Sequence, residues 1–232
     1  MPLGPALLGL AAAVRAAYVT DANISAAVLA WREDAVAAEA SYGHIGTWDT
    51  SDVTRMDQLF YDDGTFDEDL GAWNTARVTS MQGLFWRTDV YNRPLESWDV
   101  SRVTDMSRMF SDNARFNQPL NGWTTSSLES TRHMFYYAEA FNQPLDRWDV
   151  SKLTSMDNMF ECVSAFDQDL GWHVSANCTA SVAFFNTRCR TWDCGLNGAT
   201  PPPTPPPTYP EASGAHTTEP LILLGAAALA YY

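Results

Sequence analysis

Between Trp48 and Leu170 the apolar positions return as a block every 25 residues: Trp48, Trp73, Trp98, Trp123 and Trp148 keep this interval, and so do Phe60, Phe85, Phe110, Phe135 and Phe160. One unit reads W-D-V-S-x-V-T-x-M-x-x-M-F-x-x-x-x-x-F-N-Q-P-L-x-x. Its first apolar slot after the Trp holds Val53, Val78, Val103, Leu128 and Leu153, and three residues later stand Met56, Met81, Met106, Thr131 and Met156. Leu59, Leu84, Met109, Met134 and Met159 precede the Phe, and Leu70, Leu95, Leu120, Leu145 and Leu170 close each unit. A sixth unit starts one residue early at Trp172, and the frame is expected to recover at Cys178 and Phe185. A fixed period in this range predicts stacked repeats.

About 25 residues cannot enclose a core, so each unit must bury its apolar edge against its neighbours. Every repeating position then becomes a column of like side chains, and the Trp, Val, Met, Phe and Leu columns are expected to form one continuous core. A second aromatic column, Phe66, Tyr91, Phe116, Phe141 and Phe166, precedes Asp67, Asn92, Asn117, Asn142 and Asp167. The polar column is expected to satisfy backbone groups within its own tight bend, as Asn and Asp do in turns.

The segments flanking the repeats obey other patterns. Ile24, Ala27, Val28 and Trp31 recur at i, i+3, i+4 and i+7, which predicts a helix capped by Thr20 or Asp21. The run Ala35 to Ala40 extends or restarts it, and Tyr42-Gly43 ends it. An amphipathic helix over 20–45 suits the open end of a repeat stack, covering its bare apolar face and unpaired edge. Residues 1–19 resemble the apolar region and small-residue cleavage site of a secretory signal, although no Lys or Arg precedes the apolar run.

At the other end the composition changes. Cys162, Cys178, Cys189 and Cys194 are all the cysteines, clustered after four units that have none. In a secreted chain they predict two disulfides holding the last unit, with three pairings open. No C-x-x-C occurs and His173 fits no standard ligand spacing, so no metal site is assigned. Residues 199–219 are a proline-rich linker of polyproline II character, and 220–232 form an apolar tail too short to span a bilayer. That tail fits a lipid-anchor signal, the start of a longer membrane helix, or a loose apolar end.

Charge and chemistry narrow the function classes. With 14 Lys plus Arg against 28 Asp plus Glu, the formal net charge is −14, and non-specific binding to nucleic acid or anionic membrane is disfavoured. His44, His133, His173 and His216 share no repeat position, and no phosphate loop or H-E-x-x-H motif occurs, so neither catalytic residues nor a cofactor are assigned. The rival signal is acidic: Asp67-Glu68-Asp69 and Asp167-Gln168-Asp169, with the Asp after the Trp, have the residue types for Ca²⁺ binding or for acid and base chemistry on sugars.

The segment L-x-x-W-D-V, as at Leu95, Trp98 and Val100, falls on the strand signature of leucine-rich repeats. Units of the form W-D-V-S-x-V-T-x-M-x-x-M-F followed by F-N-Q-P-L resemble the repeats of BspA-like leucine-rich repeat surface proteins. The resemblance spans Gly46 to Asn186. It implies a leucine-rich-repeat-like solenoid over 46–198, with short parallel strands, turns or short helical turns, an N-terminal helical cap and a Cys-containing C-terminal cap. It further implies a surface-displayed, non-enzymatic scaffold, extracellular and carried on a membrane through its tail, that binds a protein or glycan. In that reading each W-D-V segment is a strand, and Asp49, Asn74, Asp99, Thr124 and Asp149 form the outward binding ribbon. A carbohydrate-active or Ca²⁺-binding protein using the acidic loops is the alternative.

Overall fold

The computed structural model describes residues 17–189 and 194–196. The expected signal segment lies outside this range up to residue 16, and the proline-rich linker and apolar tail lie outside it entirely. The described chain opens with strand β1 (Tyr18–Thr20), followed by helix α1 (Ile24–Glu33), helix α2 (Ala35–Tyr42), a 3-10 turn (Ile45–Thr47) and strand β2 (Asp49–Asp52). β1 and β2 pair in parallel, Tyr18 opposite Asp49 and Thr20 opposite Asp52.

Helix α1 buries Ile24, Ala27, Val28 and Trp31, the stripe that its spacing predicts. Neither Thr20 nor Asp21 caps it. Thr20 ends β1, the N-cap is Asn23 without a side-chain cap bond, and Asp21 instead accepts from the backbone N–H groups of Thr54 and Arg55. Asp21 thus ties the helical segment to the first repeat. The chain restarts as α2 because Asp34 accepts from the N–H of Ala37 at 3.0 Å, a conventional N-cap. Gly43 ends α2 at φ 72°, where a residue lacking Cβ is least strained. Trp31 then meets Trp48 edge to face at 6.3 Å, joining the helices to the first Trp of the repeats.

Beyond β2 the units lie one against the next. The Phe column runs Phe60, Phe85, Phe110, Phe135, Phe160 with near-parallel rings 5.5–5.7 Å apart. A parallel file, Phe66, Tyr91, Phe116, Phe141, Phe166, stacks at 5.9–6.5 Å, and each of its rings lies 3.8–4.2 Å from the Phe of its own unit. All ten rings are buried, in offset arrangements favourable to aromatic pairs. The hydroxyl of Tyr91 has no partner among the described residues, and burial pushes its pKa well up. The Trp column is tied to the main chain: the indole N–H groups of Trp98, Trp123 and Trp148 each donate at 3.0 Å to the carbonyls of Leu70, Leu95 and Leu120, one unit back. Thr131, the lone polar residue of the Met column, is fully buried and points its hydroxyl at the Ser155 carbonyl, 3.5 Å away.

The backbone joins the units in a segment that the sequence reading did not choose. Parallel bridges link Arg55, Ser80, Asp105, Ser130, Ser155 and Thr179 in succession, and among the described residues the W-D-V segment is a strand only in β2. From that bridge onward alternate N–H groups donate to the following unit: Met106 to Ser130, Arg108 to Arg132, Phe110 to Met134 and Asp112 to Tyr136. The N–H groups between them close three-residue turns, Met109 to Met106 and Ser111 to Arg108. Such a ribbon needs two residues per unit at positive φ, four apart. They are Gln58 and Asp62, Gly83 and Arg87, Arg108 and Asp112, His133 and Tyr137, Asn158 and Cys162. Each of these ten donates its N–H to the next unit. A left-handed residue costs about 1–3 kcal/mol unless its surroundings over-determine it, and these bonds supply that constraint.

The polar column also works between units rather than within its own bend. Asn92 Oδ1 accepts the N–H of Asn117, and Asn117 Oδ1 that of Asn142, both at 3.0 Å. Gln118 and Gln143 donate to the same Asn side chains and carbonyls. The result is a side-chain ladder beside the aromatic files.

The sixth unit keeps its one-residue deletion. Trp172 stacks on Trp148 at 6.1 Å, Thr179 bridges Ser155, and Phe184, not Phe185, continues the Phe column at 5.5 Å from Phe160. The early register persists because the inter-unit bonds after Trp172 lock each residue 23 or 24 positions from its partner, as with Met156 to Thr179 and Ser155 to Thr179. A disulfide joins Cys189 and Cys194, while Cys162 and Cys178 are unpaired, so the expected second bridge does not form. Those two occupy different columns: Cys162 continues the left-handed position of Tyr137, and Cys178 adjoins the bridging residue Thr179. Cys194 closes the end by accepting the N–H of Leu170 on its carbonyl, and Gly195 fits beside Asp169 where a Cβ would lie only 1.8 Å from Oδ1.

Candidate functional site

Two exposed edges run along the repeats. The first is the edge expected from sequence. Asp49, Asn74, Asp99, Thr124 and Asp149 are all exposed, each between buried neighbours, so their side chains line up on one outer edge. Four of them serve their own turn: Asp49, Asn74, Asp99 and Asp149 accept on Oδ1 the N–H two residues later, at 3.0–3.1 Å. Thr50, Thr75 and Thr125 donate to the carbonyls of Asn74, Asp99 and Asp149, cross-linking this edge through side chains instead of a strand ladder. Hydrogen bonds from Ser51, Ser101 and Ser151 hold the carboxyls of Asp49, Asp99 and Asp149 below their ordinary range. A general acid needs the reverse, a carboxyl held above it.

At Thr124 the pattern changes, because Thr replaces the turn-forming Asp. Here an open depression of about 360 Å³ is lined by Trp123, Thr124, Thr125, Ser126, Arg147 and Asp149, with Asn121 and Gly122. It brings together two of the five sequence-chosen residues.

The loop acids are likewise engaged. Asp67 accepts from Asn92 N–H and pairs with Arg93 at 2.8 Å, Asp69 and Asp169 accept from Gly71 and Gly171, and Glu68 lies 3.5 Å from His44. Among the described residues no group of three His, Cys, Asp or Glu side chains could hold a metal ion.

The second edge lies outside the ladder segment, and sequence reading passed over it. It carries Tyr61 and Asp62, Trp86 and Arg87, Ser111 and Asp112, Tyr136 and Tyr137, Glu161 and Cys162, two positions per unit. Tyr61 and Trp86 touch at 4.6 Å between centroids. The Arg108 guanidinium sits 5.0 Å over the Trp86 ring, whose Nε1 donates to Asp112 Oδ2 at 3.0 Å. Tyr136 contacts His133 at 5.3 Å and Tyr137 at 4.6 Å. The only signal in the sequence was negative: these positions fail to repeat.

His133 sits at the edge of this face with Nδ1 buried and unpartnered among the described residues. Desolvation, with Arg132 and Arg108 adding repulsion against the opposing pull of Asp157 and Asp112, lowers its pKa from 6.5 to about 4. A histidine with a depressed folded-state pKa binds fewer protons folded than unfolded, so it lowers stability as pH falls from 6.5 towards 4. With the ring about half exposed, solvent screening cuts the effect to on the order of 1 kcal/mol. His133→Asn suits the left-handed backbone, as Asn158 does one unit on. Urea midpoints of the two proteins should therefore diverge by about that amount on acidification, the variant being the more stable; parallel curves would show that His133 stays protonatable in the fold.

Geometry thus defines a protein of tandem 25-residue units joined by backbone, aromatic and side-chain ladders. The model of the family described as "Mycoplasma protein of unknown function, DUF285" matches residues 33–143, 65–173 and 95–194, and the chain belongs to that family. No curated protein and no solved structure matches the chain.

Proposed function

We propose that the chain is a non-enzymatic recognition scaffold, a leucine-rich-repeat-like solenoid of the BspA-like kind, displayed outside the cell to bind a protein or glycan. The supporting observation is the division of labour within each unit. Inward and ladder positions repeat almost unchanged, whereas outward positions differ chemically from unit to unit: Tyr61, Trp86, Ser111, Tyr136 and Glu161 occupy one column. Side chains that only held the stack together would need no such variety. The Cys189–Cys194 disulfide supports an oxidising, extracellular setting. No helix among the described residues is long and apolar enough to cross a membrane, and attachment is assigned to the apolar tail at 220–232.

The test is an array of glycans and extracellular proteins probed with the purified full chain, followed by product analysis of whatever binds. Saturable binding without chemical change of the ligand is expected. Release of new reducing ends, lost when Asp67 and Asp69 are replaced by Asn, would establish the carbohydrate-active alternative instead.

A further inference from the structure

The ladder edge, not the W-D-V edge, carries the ligand, and we infer that the ligand is an extended neutral polysaccharide lying across Trp86, Ser111 and Tyr136. This rests on the recognition-scaffold reading and names its surface and ligand class. Successive rungs at this edge are set by the Phe files behind it, Phe85 to Phe110 and Phe110 to Phe135, at 5.7 Å each. That step is roughly the advance of one pyranose along an extended chain. Trp86 and Tyr136 stand two rungs apart with the small, buried Ser111 between them, so two aromatic side chains flank a low point on the surface. Sugar rings spaced by two residues meet an aromatic platform each, and the intervening ring passes over the low point.

The polar groups suit hydroxyls. Asp112 uses Oδ2 for Trp86 Nε1 and Ser111 Oγ, and Oδ1 takes no hydrogen bond from the described residues. A free carboxylate oxygen accepts from sugar hydroxyls, and Arg87, exposed beside Trp86, donates to them. The charges also decide against a polyanion. Arg87 is paired with Asp62 at 3.4 Å, Arg108 is spent on the Trp86 ring, Glu161 adds negative charge, and the chain as a whole is −14. Against a protein partner, the five pairs of residues on this edge contain no aliphatic side chain. Flat aromatic faces between paired charges offer little to an apolar anchor, and they suit the flat C–H face of a sugar.

The experiment measures binding of the full chain to cellohexaose, chitohexaose, xylohexaose and maltohexaose by calorimetry, with variants on each edge. At least one hexasaccharide should bind saturably, and Trp86→Ala or Tyr136→Ala should weaken it tenfold or more. Asp112→Asn, which keeps the shape, should weaken it several-fold, while the pair Asp99→Ala and Asp149→Ala should leave it unchanged. Retained melting of each variant separates lost binding from lost fold. Binding that survives Trp86→Ala and disappears in the Asp99 and Asp149 variants overturns the assignment of the edge. A Trp86-dependent protein ligand, with no hexasaccharide bound, overturns the sugar and leaves the scaffold reading standing. Failure to bind any sugar or protein on the array overturns both.

Discussion

Trp98→Ala should destabilise the protein by on the order of 3–5 kcal/mol, the range for removing a large aromatic from a close-packed core. Trp98 is 3 % exposed in the middle of the stack, packs against Phe85 at 6.2 Å and donates its indole N–H to the Leu70 carbonyl. Truncation therefore opens a cavity and removes a bond joining two units. Because units are coupled to their nearest neighbours, the break lies where both halves are longest, and unfolding should spread from the centre. Urea denaturation checks the size, and hydrogen exchange checks the place, with protection lost first around Leu70 to Phe110. Trp98→Phe refills most of the volume without the N–H and should cost distinctly less. Unchanged stability in Trp98→Ala would remove the Trp column from the core.

The second large effect is a contrast at one residue. Arg108 has φ 59° and donates its N–H to the Arg132 carbonyl at 2.9 Å. Proline can supply neither the angle nor the donor, so Arg108→Pro should cost about 3 kcal/mol or more. Glycine supplies both. Arg108→Gly relieves left-handed strain of about 1 kcal/mol, which offsets the lost contact with Trp86, about 0.5–1 kcal/mol at an exposed site. The expected result is a near-neutral glycine variant and a severely destabilised proline variant, read as denaturant midpoints at the same ionic strength. Equal loss in both would mean that the guanidinium, and not the backbone ribbon, holds this turn.

These contrasts mark where residue patterns stop being informative. Side chains that recur because they are buried are visible in a sequence, and the Trp, Val, Met, Phe and Leu columns occupy the core as their spacing requires. The α1 stripe of Ile24, Ala27, Val28 and Trp31 was equally legible, since helical burial has a period of its own. The ladder was not. Its left-handed positions hold Gln58, Arg87, Arg108, His133 and Tyr137 alongside the more tolerant Asp62, Gly83, Asp112 and Asn158, so no residue type announces them. What stabilises those angles is a carbonyl 24 residues away, and local propensity carries no trace of it. The strand was therefore expected at W-D-V, where alternation is visible, while the pairing forms seven residues later, at Arg55, Ser80 and Asp105.

The sixth unit and the cysteines follow the same logic. One deleted residue could have been absorbed within the unit, restoring Phe185 to the Phe column; only the bonds to the fifth unit select Phe184. Four clustered cysteines suggested two bridges, but a bridge needs two positions close in space, and column geometry grants that only to Cys189 and Cys194. By itself the sequence determined the period, the core columns and the capping helix, because burial repeats the same chemical demand at every unit. The tertiary structure alone decided which backbone segment pairs, which polar side chains are consumed in holding the stack, and which edge is left with unspent aromatic and carboxylate groups. Those depend on contacts one full unit apart, which a residue's own neighbours in the chain cannot specify.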